Sequence, residues 1–218
     1  MTEHEPKENR AVQTAAEVLD LSPVIPVVAL DDAEQAVPLA RALRDGGIRT
    51  IEITLRTPAG LPAIERVAAE VPGIVPGAGT ITEPGQAELA ARAGAHYLVT
   101  PGTTDRLLDD VEASGLPYLA GASTVSEAMR LAERGATAMK FFPAEPSGGT
   151  AYLKAIAGPL PELRFCPTGG ISPDNAPDYL ALPGVRCVGG SWLSPPDLLA
   201  AGEWTRIAEL AAEAAALG

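Results

Sequence analysis

Two residues in this chain carry a charge that their neighbours cannot solvate. The chain has only three lysines, Lys7, Lys140 and Lys154, and Lys140 lies within the apolar run Ala138-Met139-Lys140-Phe141-Phe142-Pro143. Desolvation among such neighbours disfavours a charged amine, and the neutral amine is the form that attacks a ketone to give an imine. The alternative is a lysine at a strand end whose stem packs while its head reaches water. Glu52 stands between Ile51 and Ile53 in the run Thr50-Ile51-Glu52-Ile53-Thr54. Period two puts it on the face opposite both isoleucines. A carboxylate turned into an interior costs on the order of several kcal/mol unless it is paired or protonated. It therefore serves as an acid or base, or else as half of a structural salt bridge, for which Arg56 is a candidate. Arg56 is in turn a surface cation or a planar fork for a substrate carboxylate. An ionised Glu52 touching Lys140 would favour the charged amine, so an offset or an intervening water is expected between them.

These residues have to be held by something, and short apolar runs recur along the chain at a regular interval. They are residues 24–29, 50–54, 73–76, 96–100, 117–120, 137–141, 164–167 and 185–189. Their brevity suits fully buried parallel strands. Segments with helical spacing lie between them: Val37, Ala40 and Leu43 share a face, as do Leu61, Ile64, Val67 and Val71. Gly46, Gly94, Gly115 and Gly135 sit where a glycine ends a helix, a few residues before the next strand. Val12, Ala15, Ala16 and Leu19 mark a helix ahead of the first strand, and Trp204, Ile207, Leu210 and Ala214 a final one. Eight strands alternating with eight helices predict a (β/α)8 TIM barrel with an extra N-terminal helix. An open doubly wound sheet would carry a glycine-rich loop after its first strand, but that position reads Ala29-Leu30-Asp31-Asp32-Ala33. Residues 1–10 read as a disordered acidic tail and residues 11–218 as a single catalytic domain.

In such a barrel the chemistry gathers at the C-terminal ends of the strands. Glycine pairs, Gly169-Gly170 and Gly189-Gly190, end the seventh and eighth strands, and Ser191 follows the second. Loops at these two tips build the phosphate site of many barrels, because glycine lets backbone N–H groups approach the oxygens. Tight turns also use glycine, which is the plainer explanation. Gly77-Ala78-Gly79 follows the wrong strand for a dinucleotide fingerprint and lacks its third glycine. His4 lies in the tail and His96 at a strand start, so no metal site is expected. A formal charge of −12 argues against nucleic acid or an anionic membrane as partner. Cys166 and Cys187 form no disulfide framework, and residues 1–10 contain no apolar signal segment. A cytoplasmic protein is expected.

The stretches IEITLRT (51–57), GAGT (77–80), TPG (100–102), STVSE (123–127), KFFPAE (140–145), AIAGPLP (155–161), RFCPTGGIS (164–172) and GGSW (189–192) resemble the 2-keto-3-deoxy-6-phosphogluconate aldolases. These overlap the 4-hydroxy-2-oxoglutarate aldolases, and the similarity runs over about residues 20–216. The resemblance implies a class I aldolase, homotrimeric and needing no metal or other cofactor. It implies that Lys140 forms the Schiff base and that Glu52 is the acid/base acting through water. Arg56 and Thr80 would hold the pyruvate carboxylate, and Pro101 and Phe142 would shape the pocket around the imine. Thr168 would contact the sugar-acid chain, while Gly169, Gly170, Gly190 and Ser191 would hold the phosphate. Threonine at position 168 favours a gluconate-type substrate. The expected reaction cleaves the phosphorylated keto acid to pyruvate and glyceraldehyde 3-phosphate, and 4-hydroxy-2-oxoglutarate is a second candidate substrate. The competing readings are a phosphosugar isomerase or epimerase using Glu52 as base, and a non-catalytic binder of a sugar-acid phosphate.

Overall fold

The apolar runs become eight parallel strands in a computed structural model that describes residues 12–218. They are β1 (Val24–Val28), β2 (Thr50–Thr54), β3 (Val75–Gly79), β4 (Tyr97–Val99), β5 (Tyr118–Ala122), β6 (Ala138–Phe141), β7 (Arg164–Pro167) and β8 (Val188–Gly190). Each is buried along its length apart from the first residue of β5 and of β7, as expected of strands covered on both faces. They pair in the order β7-β6-β5-β4-β3-β2-β1-β8. Two isolated parallel bridges, Phe165 with Val185 and Thr168 with Gly189, bring the two ends of that order together. The result is the expected TIM barrel. The tail expected over residues 1–10 lies outside the described residues.

Around the strands run α1 (Ala15–Leu19), α2 (Ala36–Asp45), α3 (Gly60–Glu70), α4 (Gln86–Arg92), α5 (Asp105–Ala113), α6 (Val125–Glu133), α7 (Gly149–Ala157), α8 (Ala176–Leu180), α9 (Pro196–Ala201) and α10 (Trp204–Ala215). Helix α1 is the extra N-terminal one. Thr14 and Glu17 close a capping box at its start, and Val18 and Leu19 pack with Ile25, Tyr97 and Cys187 in a cluster distinct from the main core. The spacing argument missed α8 and α9, which are five and six residues long, too short to show a period, and begin with proline in their first turn.

Three boundaries differ from expectation, two of them for a steric reason. The third strand was expected over 73–76 but runs from Val75 to Gly79, taking in the two glycines beyond that apolar run. A Cβ on Gly77 would overlap the Tyr97 ring, and one on Gly79 would lie 2.7 Å from the Glu52 carboxyl carbon. The glycines are strand residues because barrel side chains occupy their space. The eighth strand was expected from residue 185 but begins at Val188; Val185 keeps only its bridge to Phe165. At the end of α2, Gly47 and not Gly46 takes the left-handed conformation, with φ 95°. Gly46 has φ −78°; a Cβ there would sit 2.5 Å from that of Ala211, so its glycine admits α10 against α2.

Candidate active site

Lys140 and Glu52 meet inside the barrel. Their residues are 4% and 3% exposed, and Lys140 Nζ donates to Glu52 Oε1 over 3.2 Å. The expected offset or intervening water is not found. The contact is direct because Gly79 on β3 leaves room for the Glu52 carboxylate. Gly121 is the register partner of Lys140 on β5. The ammonium also stands 5.5 Å from the centre of the Phe142 ring, within cation–π range. Two desolvated opposite charges in contact compensate each other, and removing either leaves the other uncompensated.

Arg56 is not the partner of Glu52. It is exposed at the β2 tip, and its Nε donates to Thr80 Oγ1 over 3.3 Å. Thr80 carries the left-handed backbone, with φ 59°, that no other non-glycine residue among those described adopts. Such a conformation costs on the order of 1–3 kcal/mol, and here it follows β3 directly and presents the hydroxyl to Arg56. Pro101, half-buried after β4, leans over Gly121: a Cβ on Gly121 would lie 2.6 Å from the Gly102 nitrogen, next to Pro101.

A cavity of about 140 Å³ opens at the tips of β7 and β8. Arg56, Phe142, Thr168, Gly169, Gly170, Gly190 and Ser191, all singled out in the sequence, line it together with Val27, Ile171 and Gly189. Val27 and Ile171 were missed; their signals are an inward position near the end of β1 and adjacency to the glycine pair. Thr80, Pro101, Glu52 and Lys140 are not among the lining residues. Gly169 and Gly170 have φ of 98° and 82°, and the Phe142 ring packs on the first, 3.2 Å from where its Cβ would be. The second pair has a different origin. A Cβ on Gly189 would lie 3.1 Å from that of Thr168 and closer still to its hydroxyl, while one on Gly190 would overlap the Trp192 ring. Thr168 itself is buried, its hydroxyl 3.4 Å from the Cys166 carbonyl.

A larger hollow of about 420 Å³ lies between α7 and residues 182–185, but neither Lys140 nor Glu52 reaches it. His96, before β4, is held below its ordinary pKa by burial, and its Nδ1 has no hydrogen-bond partner among the described residues. Cys166 and Cys187 are both free and buried. The neighbouring Cys166 and then desolvation raise the Cys187 thiol well above its usual range. Among the described residues no group of three or more His, Cys, Asp or Glu side chains gathers to hold a metal ion. No helix there is long and apolar enough to cross a membrane.

The family model of the KDPG and KHG aldolases matches residues 15–210. The 2-dehydro-3-deoxy-phosphogluconate aldolase of Pseudoalteromonas atlantica is 50% identical over 203 residues, 93% of this chain and 94% of that one. The KHG/KDPG aldolase of Escherichia coli K12 is 49% identical over 203 residues, 93% of this chain and 95% of its own. Among solved structures, the KDPG aldolase of Legionella pneumophila, with pyruvate captured as a covalent carbinolamine intermediate, superposes with a TM-score of 0.90. It is 42% identical, and the match covers 93% of this chain and 98% of that one.

Proposed function

Since the chain belongs to the KDPG and KHG aldolase family, we propose that its barrel mouth cleaves 2-keto-3-deoxy-6-phosphogluconate to pyruvate and glyceraldehyde 3-phosphate through an imine on Lys140. The observation that carries this reading is the buried Lys140–Glu52 contact at 3.2 Å, beside the Phe142 ring that also lines the glycine-rich cavity.

The contact gives the lysine proton somewhere to go. Transfer from Nζ to Oε1 leaves a neutral amine, which attacks the C2 ketone, and the carboxylic acid so formed protonates the departing carbinolamine hydroxyl. Water leaves, and the protonated imine becomes the electron sink. Glu52 then takes the C4 hydroxyl proton as the C3–C4 bond breaks, its electron pair flowing into the imine to give an enamine while the aldehyde departs. The same carboxylic acid returns that proton to C3. Hydrolysis of the imine releases pyruvate and restores the lysine. Because the iminium supplies the sink, the scheme calls for no metal.

Arg56 and Thr80 hold the keto-acid carboxylate in this scheme; their mutual hydrogen bond supports it by pre-setting the guanidinium. Pro101 and Phe142 wall the imine, and Thr168 meets the hydroxylated chain. Gly169, Gly170, Gly190 and Ser191 take the phosphate, which their shared cavity supports. 4-Hydroxy-2-oxoglutarate, which needs no phosphate contact, is a second substrate. Residues 11–218 act as one catalytic domain, in a homotrimer and in the cytoplasm; two free, buried thiols suit a reducing compartment. Light scattering tests the trimer.

Mass spectrometry after incubation with pyruvate and borohydride, without added metal, tests the chemistry. A reduced pyruvate adduct on the peptide containing Lys140 is expected. A folded protein with no adduct would discard the imine and leave the isomerase and the sugar-acid binder.

A further inference from the structure

The loop after β6 and the loop after β7 are stitched together. Thr168 N donates to Phe141 O over 2.9 Å, Ala144 N to Thr168 O over 2.8 Å and Glu145 N to Gly169 O over 3.1 Å. One side chain from each region completes the seam: the Tyr179 hydroxyl, on α8, donates to Glu145 Oε1. Tyr179 is wholly buried. Desolvation and then the neighbouring Glu145 carboxylate hold its phenol far above the usual range, so it remains a donor at any working pH.

The stem of Glu145 lies against the proposed phosphate cradle. A Cβ on Gly170 would be 2.6 Å from Glu145 Cγ and 2.7 Å from its Cβ. Its carboxylate is turned the other way, toward the start of α7, where a Cβ on Gly149 would come within 3.1 Å of the Tyr179 oxygen and 3.2 Å of Glu145 Oε1. The cavity lining contains no acidic residue and one cation, Arg56. An acid therefore touches the cradle with its methylenes while its charge is tied elsewhere.

We infer that Tyr179 is a positioning residue that sets the preference for phosphorylated substrate, by holding the Glu145 carboxylate out of the glycine cradle. This rests on the phosphate reading above. Without the phenol hydroxyl, the carboxylate is free to rotate on the same stem toward Gly170, where it repels a phosphate dianion. The unphosphorylated end of a shorter or dephosphorylated substrate feels no such repulsion, and the imine chemistry at Lys140 is untouched.

The test is steady-state cleavage of 2-keto-3-deoxy-6-phosphogluconate and of its dephosphorylated counterpart by wild type, Tyr179→Phe, Glu145→Asp, and the double variant Tyr179→Phe/Glu145→Gln. Glu145→Asp keeps the charge but shortens the reach to Tyr179, so it decides the matter even if Tyr179→Phe fails to fold. Either single variant is expected to raise KM for the phosphorylated substrate about tenfold, with constants for the dephosphorylated one within about twofold of wild type. Removing the loose charge in the double variant should return KM toward the wild-type value. A latch that merely braces the loops would slow both substrates and leave the double variant no better, which would overturn the inference. Should wild type prefer the phosphorylated substrate and both single variants keep that preference, the inference alone falls. Should wild type show no such preference, the phosphate reading falls first and takes the inference with it.

Discussion

Gly79 and Glu52 share one space: the carboxyl carbon of Glu52 lies 2.7 Å from the point where a side chain on Gly79 would begin. The glycine of β3 is thus part of how the acid on β2 reaches the lysine on β6. Gly79→Ala is expected to push the carboxylate off Lys140 while leaving the barrel folded. In the proposed scheme, loss of a placed acid/base lowers kcat by about 10²–10⁴-fold. Turnover measured beside circular dichroism checks it, and an unimpaired kcat would separate Glu52 from the proton transfers.

Lys140→Met should abolish turnover and the borohydride adduct. It also strands Glu52, at 3% exposure, without its counter-charge. Breaking a buried pair in this way costs roughly 3–5 kcal/mol. Lys140→Met/Glu52→Gln removes both charges and should recover most of that loss in urea unfolding while remaining inactive. A double variant as unstable as the single one would show that packing, and not the stranded charge, sets the cost.

Arg56→Ala should weaken capture of the keto-acid carboxylate. The guanidinium contacts Thr80 and not the Lys140–Glu52 pair, so in the proposed scheme the effect belongs to binding. A rise in the pyruvate concentration needed for half-maximal adduct of about tenfold or more is expected, since a charge-assisted contact contributes roughly 1.5–3 kcal/mol. Pyruvate titration under borohydride trapping measures it.

His96 makes stability fall on the acid side. Burial holds its folded-state pKa below the ordinary 6.5, so the unfolded chain binds its proton first. The resulting stability is complete above about pH 6.5 and is lost as the pH falls from there through the lower folded-state value. His96→Gln should flatten the Tm profile in that window, relative to wild type, in a calorimetric series from neutral pH downward. Parallel profiles would assign the acid sensitivity to other groups.

Much of this was legible in the chain because barrel strands are short, apolar and buried on both faces, so runs such as 24–29 and 137–141 stand out without any pairing information. Lys140 and Glu52 were legible for the converse reason, as charges where periodicity demands apolar residues. Their direct contact was not, because it depends on the absence of a side chain at Gly79, on a different strand from either residue. The two glycine pairs look alike in the sequence but differ in cause. Gly169-Gly170 bends the backbone to positive φ, while Gly189 and Gly190 yield space to Thr168 and Trp192. Helices α8 and α9 are too short for their spacing to speak.

The barrel is zipped unevenly. Neighbouring strands elsewhere share a ladder, but β7 and β8 meet only at the isolated bridges of Phe165 with Val185 and Thr168 with Gly189. The cavity lies over the second of these, with Gly170 on one side of the seam and Ser191 on the other. A ligand bound across it would add contacts where the two strand ends share no ladder, so filling the site and closing the cylinder would draw on the same free energy. The mouth is thus also a joint of this barrel, and in the proposed function the phosphorylated substrate is its clasp.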